Sequence, residues 1–280
     1  MRRSVFFLVL SFILVLVLSR ISLADTENSR KVPQPIQEVF QSDLLYPQEK
    51  NEIQFSLLPV FKSQNGENRY QTEFELEYGF TDAWQLQLEW DGLIHRELFR
   101  SPDQTEAGDF SIGTQYSFMG LQDGYSHAAL GLNLGVPVGD VDRGMSDGFF
   151  GVETYFTLAR DFPEFNGAQL FSQMGVEWVS RVRTPNNLAP LPNAAHTFFW
   201  NAGGFLPVGD FRGTLEINWK NNEWNQSGNN NVLFLTPGVI WKISKEWELG
   251  VAAPVGLTDD ADDVRVIGLL VYEIELDDLD

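Results

Sequence analysis

The sequence has no cysteine, only three histidines and, after Ala24, no long apolar run. The missing cysteine excludes a disulfide framework, a thiolate metal site, a cysteine nucleophile and a lipid anchored on an N-terminal cysteine. His95, His127 and His196 share no metal-ligand spacing, so each is expected at the surface, near a strand end or in a loop. No His-Glu-x-x-His, Gly-x-Ser-x-Gly or Gly-x-Gly-x-x-Gly pattern occurs, so neither a metal nor a nucleotide cofactor is expected. Bases are scarce as well: 19 Lys and Arg face 39 Asp and Glu, for a net charge of −20. A chain this acidic lacks the basic stripe that nucleic acid needs in a partner. With no second apolar run, membrane insertion beyond Ala24 would have to use strands.

Residues 1–24 read as a secretory signal peptide. Arg2 and Arg3 precede an apolar stretch from Val5 to Leu18, and Ser22 and Ala24 supply small residues for cleavage. Removing its three arginines takes the net charge to −23. Residues 25–50 are polar and broken by Pro33, Pro35 and Pro47, with room for a short amphipathic helix around Ile36 to Leu45. This segment is expected to be a plug, a docking arm or a tail outside the main fold.

From residue 51 to residue 280 the pattern changes to period-two alternation. In YQTEFELEYGF, residues 70 to 80, the aromatic and aliphatic side chains fall on one face while Glu73, Glu75 and Glu77 fall on the other. Twelve such segments are predicted, near 52–61, 69–80, 83–92, 108–118, 127–138, 148–159, 168–180, 196–207, 210–220, 231–243, 247–256 and 264–276. Most run to about ten residues, the length a tilted strand needs to cross a bilayer, against roughly 5–6 in soluble sheets. The connections alternate too. Tight links such as Gly209-Asp210 and Ser244 to Glu246 separate longer polar ones such as KSQNGENR and LIHRELFRSPDQTEAG. Short turns at one end, long loops at the other and an even strand count predict an all-β, transmembrane antiparallel barrel of about twelve strands in a bacterial outer membrane.

Tryptophan gives a separate signal. Trp84, Trp241 and Trp247 sit beside short turns, while Trp90, Trp178, Trp200 and Trp219 lie toward the long-loop ends of their strands. Indole collects where hydrocarbon meets headgroup, so these seven are expected to form two aromatic girdles. Acids cannot face lipid cheaply. Glu73, Glu75, Glu77, Gln85, Gln87, Glu89, Glu153 and Glu216 are therefore expected to face the lumen. There they either tune passage or pair with Arg181, Arg212, Lys220 and Arg265 as filler. Pro237, in the middle of VLFLTPGVIW, predicts a bulge or kink with Gly238.

The pieces YGFTDAWQLQLEW, GDFSIGTQYSF, GLNLGVPVGD and LTPGVIWKISKEWELGVAAPVGLTDDADD, taken in that order, resemble the outer-membrane barrel family named for the meta pathway of phenol degradation. The likeness runs over most of the chain after about Asn51. It implies a 12-stranded transporter or channel for hydrophobic or aromatic solutes. The last strand departs from the usual pattern, because YEIELDDLD ends in acids where the barrel assembly machinery usually reads an aromatic residue.

The leading expectation is a non-enzymatic outer-membrane channel whose partners are outer-membrane lipid, a small solute and the assembly machinery. Two alternatives stand beside it. An outer-membrane hydrolase would use Ser126, His127 and a nearby acid. A secreted soluble barrel would bind a lipid or act structurally. The acidic run from Thr258 to Asp263 lacks calcium-loop spacing and reads as a solvated turn.

Overall fold

The computed structural model describes residues 34–64, 66–97, 103–121, 124–182, 195–224 and 230–276. In chain order its strands are β1 (Glu52–Gln64), β2 (Glu67–Thr81), β3 (Trp84–Trp90), β4 (Leu93–Glu97), β5 (Gln104–Ala107), β6 (Phe110–Leu121), β7 (Ser126–Val136) and β8 (Phe149–Phe162). They continue as β9 (Ala168–Arg181), β10 (Thr197–Val208), β11 (Phe211–Asn221), β12 (Asn231–Lys242), β13 (Trp247–Ala252), β14 (Val255–Gly256) and β15 (Val264–Glu275). Twelve of these form one closed antiparallel ring. Each pairs with its ring neighbours in sequence, and β1 closes the ring by pairing with both β2 and β15. Closure matters because an open edge would leave a row of backbone N–H and C=O groups without partners. The acidic end of the chain does not displace the last strand, since Tyr272 of β15 lies opposite Phe55 of β1.

The polarity of the ring is the reverse of a soluble fold. Along β11, Leu215 and Ile217 are exposed on the outside at 52% and 39%, while Glu216 between them is completely enclosed. Leu88, Ile112, Phe156, Leu158, Leu170, Met174, Val239 and Val251 continue the exposed apolar surface around the wall. The enclosed side chains include Gln54, Gln115, Thr157, Gln169, Gln173 and Thr236. A continuous apolar exterior this large would aggregate in water, and it is what a lipid-embedded barrel presents. Among the described residues no helix is long and apolar enough to span a membrane.

Three features differ from the sequence expectations. The KSQNGENR connection is no long loop, because β1 and β2 extend into it and stay paired as far as Gln64 opposite Glu67. The connection after β3 holds a hairpin of its own, with β4 pairing β2 above the point where β3 stops and β5 pairing β4. Gly92 permits the step between β3 and β4, because its φ of +47° suits glycine and a Cβ there would overlap the Thr72 carbonyl. Pro237 leaves β12 unbroken. The interruption falls on the neighbouring chain, where Ala253 and Pro254 separate β13 from β14.

If the outer face of β11 meets lipid, Leu215→Arg should cost about 2–4 kcal/mol, as a charge near a bilayer midplane does. Urea unfolding of protein in vesicles measures this. A change within about 0.5 kcal/mol, typical of an exposed site on a water-soluble protein, would contradict the assignment.

Candidate functional site

The interior of the ring is occupied by the protein's own chain. Residues 34–50 enter at the short-turn end, where Arg212 Nε donates to the Pro35 carbonyl at 2.9 Å. They rise along the inner wall to an apex at Gln41 to Asp43, then descend until Lys50 N donates to Asp82 Oδ1 at 3.1 Å in the turn between β2 and β3. Ile36, Val39, Phe40, Leu44, Leu45 and Tyr46 are all buried and form the largest apolar cluster of the structure, with Ile240, Leu269 and Val271 of the wall. The short amphipathic helix expected over Ile36 to Leu45 does not form. The backbone there is irregular because the wall takes up its polar groups.

Glu216 is the main anchor. Its carboxylate accepts hydrogen bonds from Phe40 N at 3.0 Å, Gln41 N at 3.2 Å and Ser42 Oγ at 2.7 Å. On the descending limb Ser117 Oγ donates to the Leu45 carbonyl at 2.7 Å, and Gln48 N donates to Gln85 Oε1 at 2.8 Å. Gln48 Nε2 then reaches Glu77 Oε2 at 2.7 Å. Glycines make room for this path. A Cβ at Gly238 would lie 2.5 Å from Phe40 Cε2, one at Gly250 would lie 2.9 Å from Phe40 Cζ, and one at Gly79 would overlap the Glu49 carbonyl. These glycines serve close packing inside the barrel.

His127 is a correction to the expected surface position. It is 1% exposed, and its ring lies inside the barrel between Gly120 and Asp161. Gly120 N donates to Nδ1 at 2.9 Å, so the proton sits on Nε2, which meets Asp161 Oδ2 at 2.9 Å. The other Asp161 oxygen accepts from Tyr46 Oη at 3.0 Å and Gln169 Nε2 at 2.7 Å, tying this network to the inserted segment. Ser126 precedes His127 on β7 and so projects to the opposite face, where Arg160 Nη1 donates to its Oγ at 2.8 Å. The two residues cannot share a catalytic site. His95 lies on β4 with Nδ1 at 2.7 Å from Thr105 Oγ1, and His196 just before β10 accepts from Val179 N through Nδ1 at 3.3 Å.

All eight predicted lumen residues project inward. Glu73, Glu75 and Glu77 alternate along β2 with the exposed Phe74, and Glu75 lies opposite Glu89 of β3. Their partners are mainly amides. Gln85 Nε2 donates to Glu77 Oε1 at 2.5 Å, while Gln87 Nε2 donates to Glu75 and, at 2.8 Å, to Glu89 Oε1. The bases suggested as filler are engaged elsewhere, with Arg212 and Arg181 on backbone carbonyls and Arg265 on Asp262 and Gln41. Glu77, Gln85 and Glu216 are covered by the inserted segment, whereas Glu89 and Glu153 line the open space above its apex. That space is a cavity of about 860 Å³ facing the long-loop end. In the acidic run, Asp260 Oδ2 accepts from Asn231 N at 3.0 Å and Thr258 Oγ1 accepts from Leu233 N at 3.1 Å, which ties it to β12 as a structural turn.

The tryptophans project outward. Trp84, Trp241 and Trp247 are exposed near the short turns, and Trp90, Trp178, Trp200 and Trp219 lie toward the other end. Several pack on aromatic neighbours: Phe74 stacks with Trp90 at 5.4 Å and Phe211 with Trp241 at 6.1 Å, while Trp247 lies tilted against Tyr272 at 4.5 Å.

No family model and no curated protein matches the chain. Solved structures do. An outer membrane channel from Pseudomonas putida F1 superposes with a TM-score of 0.65 at 12% identity, covering 85% of this chain and all of the other. The NanC porin gives 0.53 at 10% identity over 79% of this chain and all of that one, and the KdgM porin 0.50 at 11% over 78% and 98%. At these identities the likeness establishes the fold: the chain is a 12-stranded β-barrel of the kind those channels and porins adopt.

Two acids of the inserted segment make its docking sensitive to pH. Burial pushes the Glu38 carboxyl well above the ordinary range, and Glu77, Asp43 and Glu216 add repulsion. Burial also raises Asp43, partly offset by its bond from Gln173. A carboxyl raised in the docked state favours docking while protonated; that contribution is complete below its ordinary value of about 4 and is lost as pH climbs from there through the raised value. Cleavage within residues 34–50 by an added protease should therefore be faster at about pH 8 than at about pH 5, after correction for the protease's own pH profile. Slower cleavage at the higher pH would contradict this.

Proposed function

We propose that the protein is an outer-membrane channel for small solutes and not an enzyme, with residues 34–50 closing its periplasmic end. The observation that carries this reading is the reversed polarity: an apolar exterior around a polar interior that holds a cavity of about 860 Å³. A barrel needs such an exterior only in lipid, and a polar cavity inside it serves passage or capture of a solute from water. In bacterial barrels the short turns lie on the periplasmic side, which sets the cavity toward the cell exterior. The printed names of the neighbours, an outer membrane channel and two porins, support the same reading. A soluble secreted barrel would bury its apolar stripe and expose its acids, the opposite of what β2 and β11 do.

In this reading the two aromatic girdles hold the barrel in outer-membrane lipid, and the barrel assembly machinery inserts it. The acids Glu89 and Glu153 face the solute, while Glu77, Glu216 and Gln85 hold the segment that closes the lumen. The cavity has apolar as well as polar lining, which suits hydrophobic or aromatic solutes that carry a polar group. Passage requires residues 34–50 to shift, since their apolar side chains fill the short-turn half of the barrel.

Conductance across planar bilayers tests the proposal. The intact protein should give small, infrequent openings. Glu216→Ala should open more often, because three donors lose their acceptor, the two buried ones, Phe40 N and Ser42 Oγ, at about 1–3 kcal/mol each. If neither protein passes current or solute, the channel reading fails.

A further inference from the structure

The charges around the cavity are sorted by sign. Going round the ring, the strands and links from β3 to β9 contribute Glu89, Asp91, Asp109, Asp147, Glu153 and Glu177. The arc that runs from β11 through β15 to β1 and β2 contributes Lys220 and Arg265 to the lining, and Lys62 lies close enough to both, and to Arg69, to be repelled by all three. Of the bases on the acidic arc, Arg181 is held by the Asp147 carbonyl at 3.2 Å and stacks on the Phe149 ring, Arg96 pairs with Glu67 at 2.7 Å and Arg143 pairs with Glu106. Of the acids on the basic arc, Asp262 is held by Arg265 at 2.5 Å, and Glu73 of β2 is attracted by Lys62, Arg265 and Arg69. Among the described residues Lys220 makes no ion pair within 4 Å, and the acids that attract it from further away are Glu177, Asp262 and Asp147.

The arcs meet where β9, β10 and β11 run side by side. Glu177 lies opposite Thr197 of β10, and Lys220 lies opposite Phe199 two residues further along the same strand. Two inter-strand spacings and a two-residue offset along the strand put their backbones roughly 12 Å apart, with both side chains turned into the same cavity. Phe199 lies between them, and Phe149 and Phe234 add apolar surface to the walls. Asp43, at the apex of the inserted segment, forms part of the floor.

We propose that this cavity binds small zwitterions that carry an apolar group, with the ammonium toward Glu177 and the acidic arc, the carboxylate toward Lys220 and Arg265, and the apolar group against Phe199. A solute with only a cation leaves the basic arc unanswered, and a solute with only an anion meets the repulsion of the acidic arc. A pure hydrocarbon would use the rings and neither arc. The proposal rests on the channel reading for the solute's onward passage, but binding is measurable without flux.

The test is isothermal titration calorimetry of the full chain in detergent micelles at about pH 7 with three probes of one shape: phenylalanine, phenethylamine and 3-phenylpropanoate. Phenylalanine should bind at least about tenfold more tightly than either analogue. Lys220→Gln should remove its advantage over phenethylamine, and Glu177→Gln its advantage over 3-phenylpropanoate. Heat-modifiable gel migration confirms that both variants fold. Equal affinity for all three probes, binding of phenethylamine alone, no binding at all, or a preference that survives both substitutions would each overturn the proposal. Phenylalanine binding without bilayer current would sink the channel reading and leave the site, whereas current without zwitterion preference would do the reverse.

Discussion

The structure depends on closing a backbone ladder in a medium that offers no hydrogen bonds. Twelve strands satisfy one another only because β15 returns to β1, and once the ring closes every residue must face either inward or outward. Period two then sorts the side chains. Leu215 and Ile217 go out, Glu216 and Asn218 go in, and the same division repeats along β2, β3 and β8. The polar interior of this small barrel would remain costly if its groups were left without partners. The glutamines answer much of that cost, because one amide can serve two carboxylates, as Gln87 does for Glu75 and Glu89.

The inserted segment follows from the same constraint. A narrow lumen lined with carboxylates and amides is a surface ready to pair with a strand of backbone. Glu216 binds two successive amides and a hydroxyl of residues 40–42, and Gln115 and Ser117 hold the carbonyls of residues 44 and 45. The segment brings its own apolar cluster, so the barrel gains at its short-turn end something like the dry core of a soluble protein. What remains open is the half of the lumen above Asp43, where charges of both signs stay accessible to a solute.

The wall of the barrel was legible in the sequence because its determinants are local. Alternation along VETYF or TLEIN depends on nearest neighbours, and turn residues such as Gly209 mark where it stops. Strand ends were less visible. β1 and β2 run on into KSQNGENR because polar residues near the rim tolerate the ladder, so composition did not mark the boundary. The lumen was the hardest part to read. Which acid pairs with which group depends on partners more than a hundred residues away, as with Phe40 and Glu216 or Tyr46 and Asp161. His127 looked like an exposed strand-end residue, and only closure of the ring puts Asp161 beside it. A usable signal was present nonetheless: Ile36, Val39, Phe40, Leu44 and Leu45 form too apolar a set for a free tail, and Gly238 and Gly250 interrupt the wall where the Phe40 ring packs.

The central claim, that one face of each strand meets lipid while the other is packed around residues 34–50, is tested most directly by spin labels along β8. Labels at Phe156 and Leu158 should relax with oxygen dissolved in the bilayer. Labels at Thr157 and Ala159 should be shielded from both oxygen and a water-soluble relaxing agent. Equal accessibility at all four positions, or oxygen contact at Thr157 and Ala159 with water contact at Phe156 and Leu158, would contradict the account.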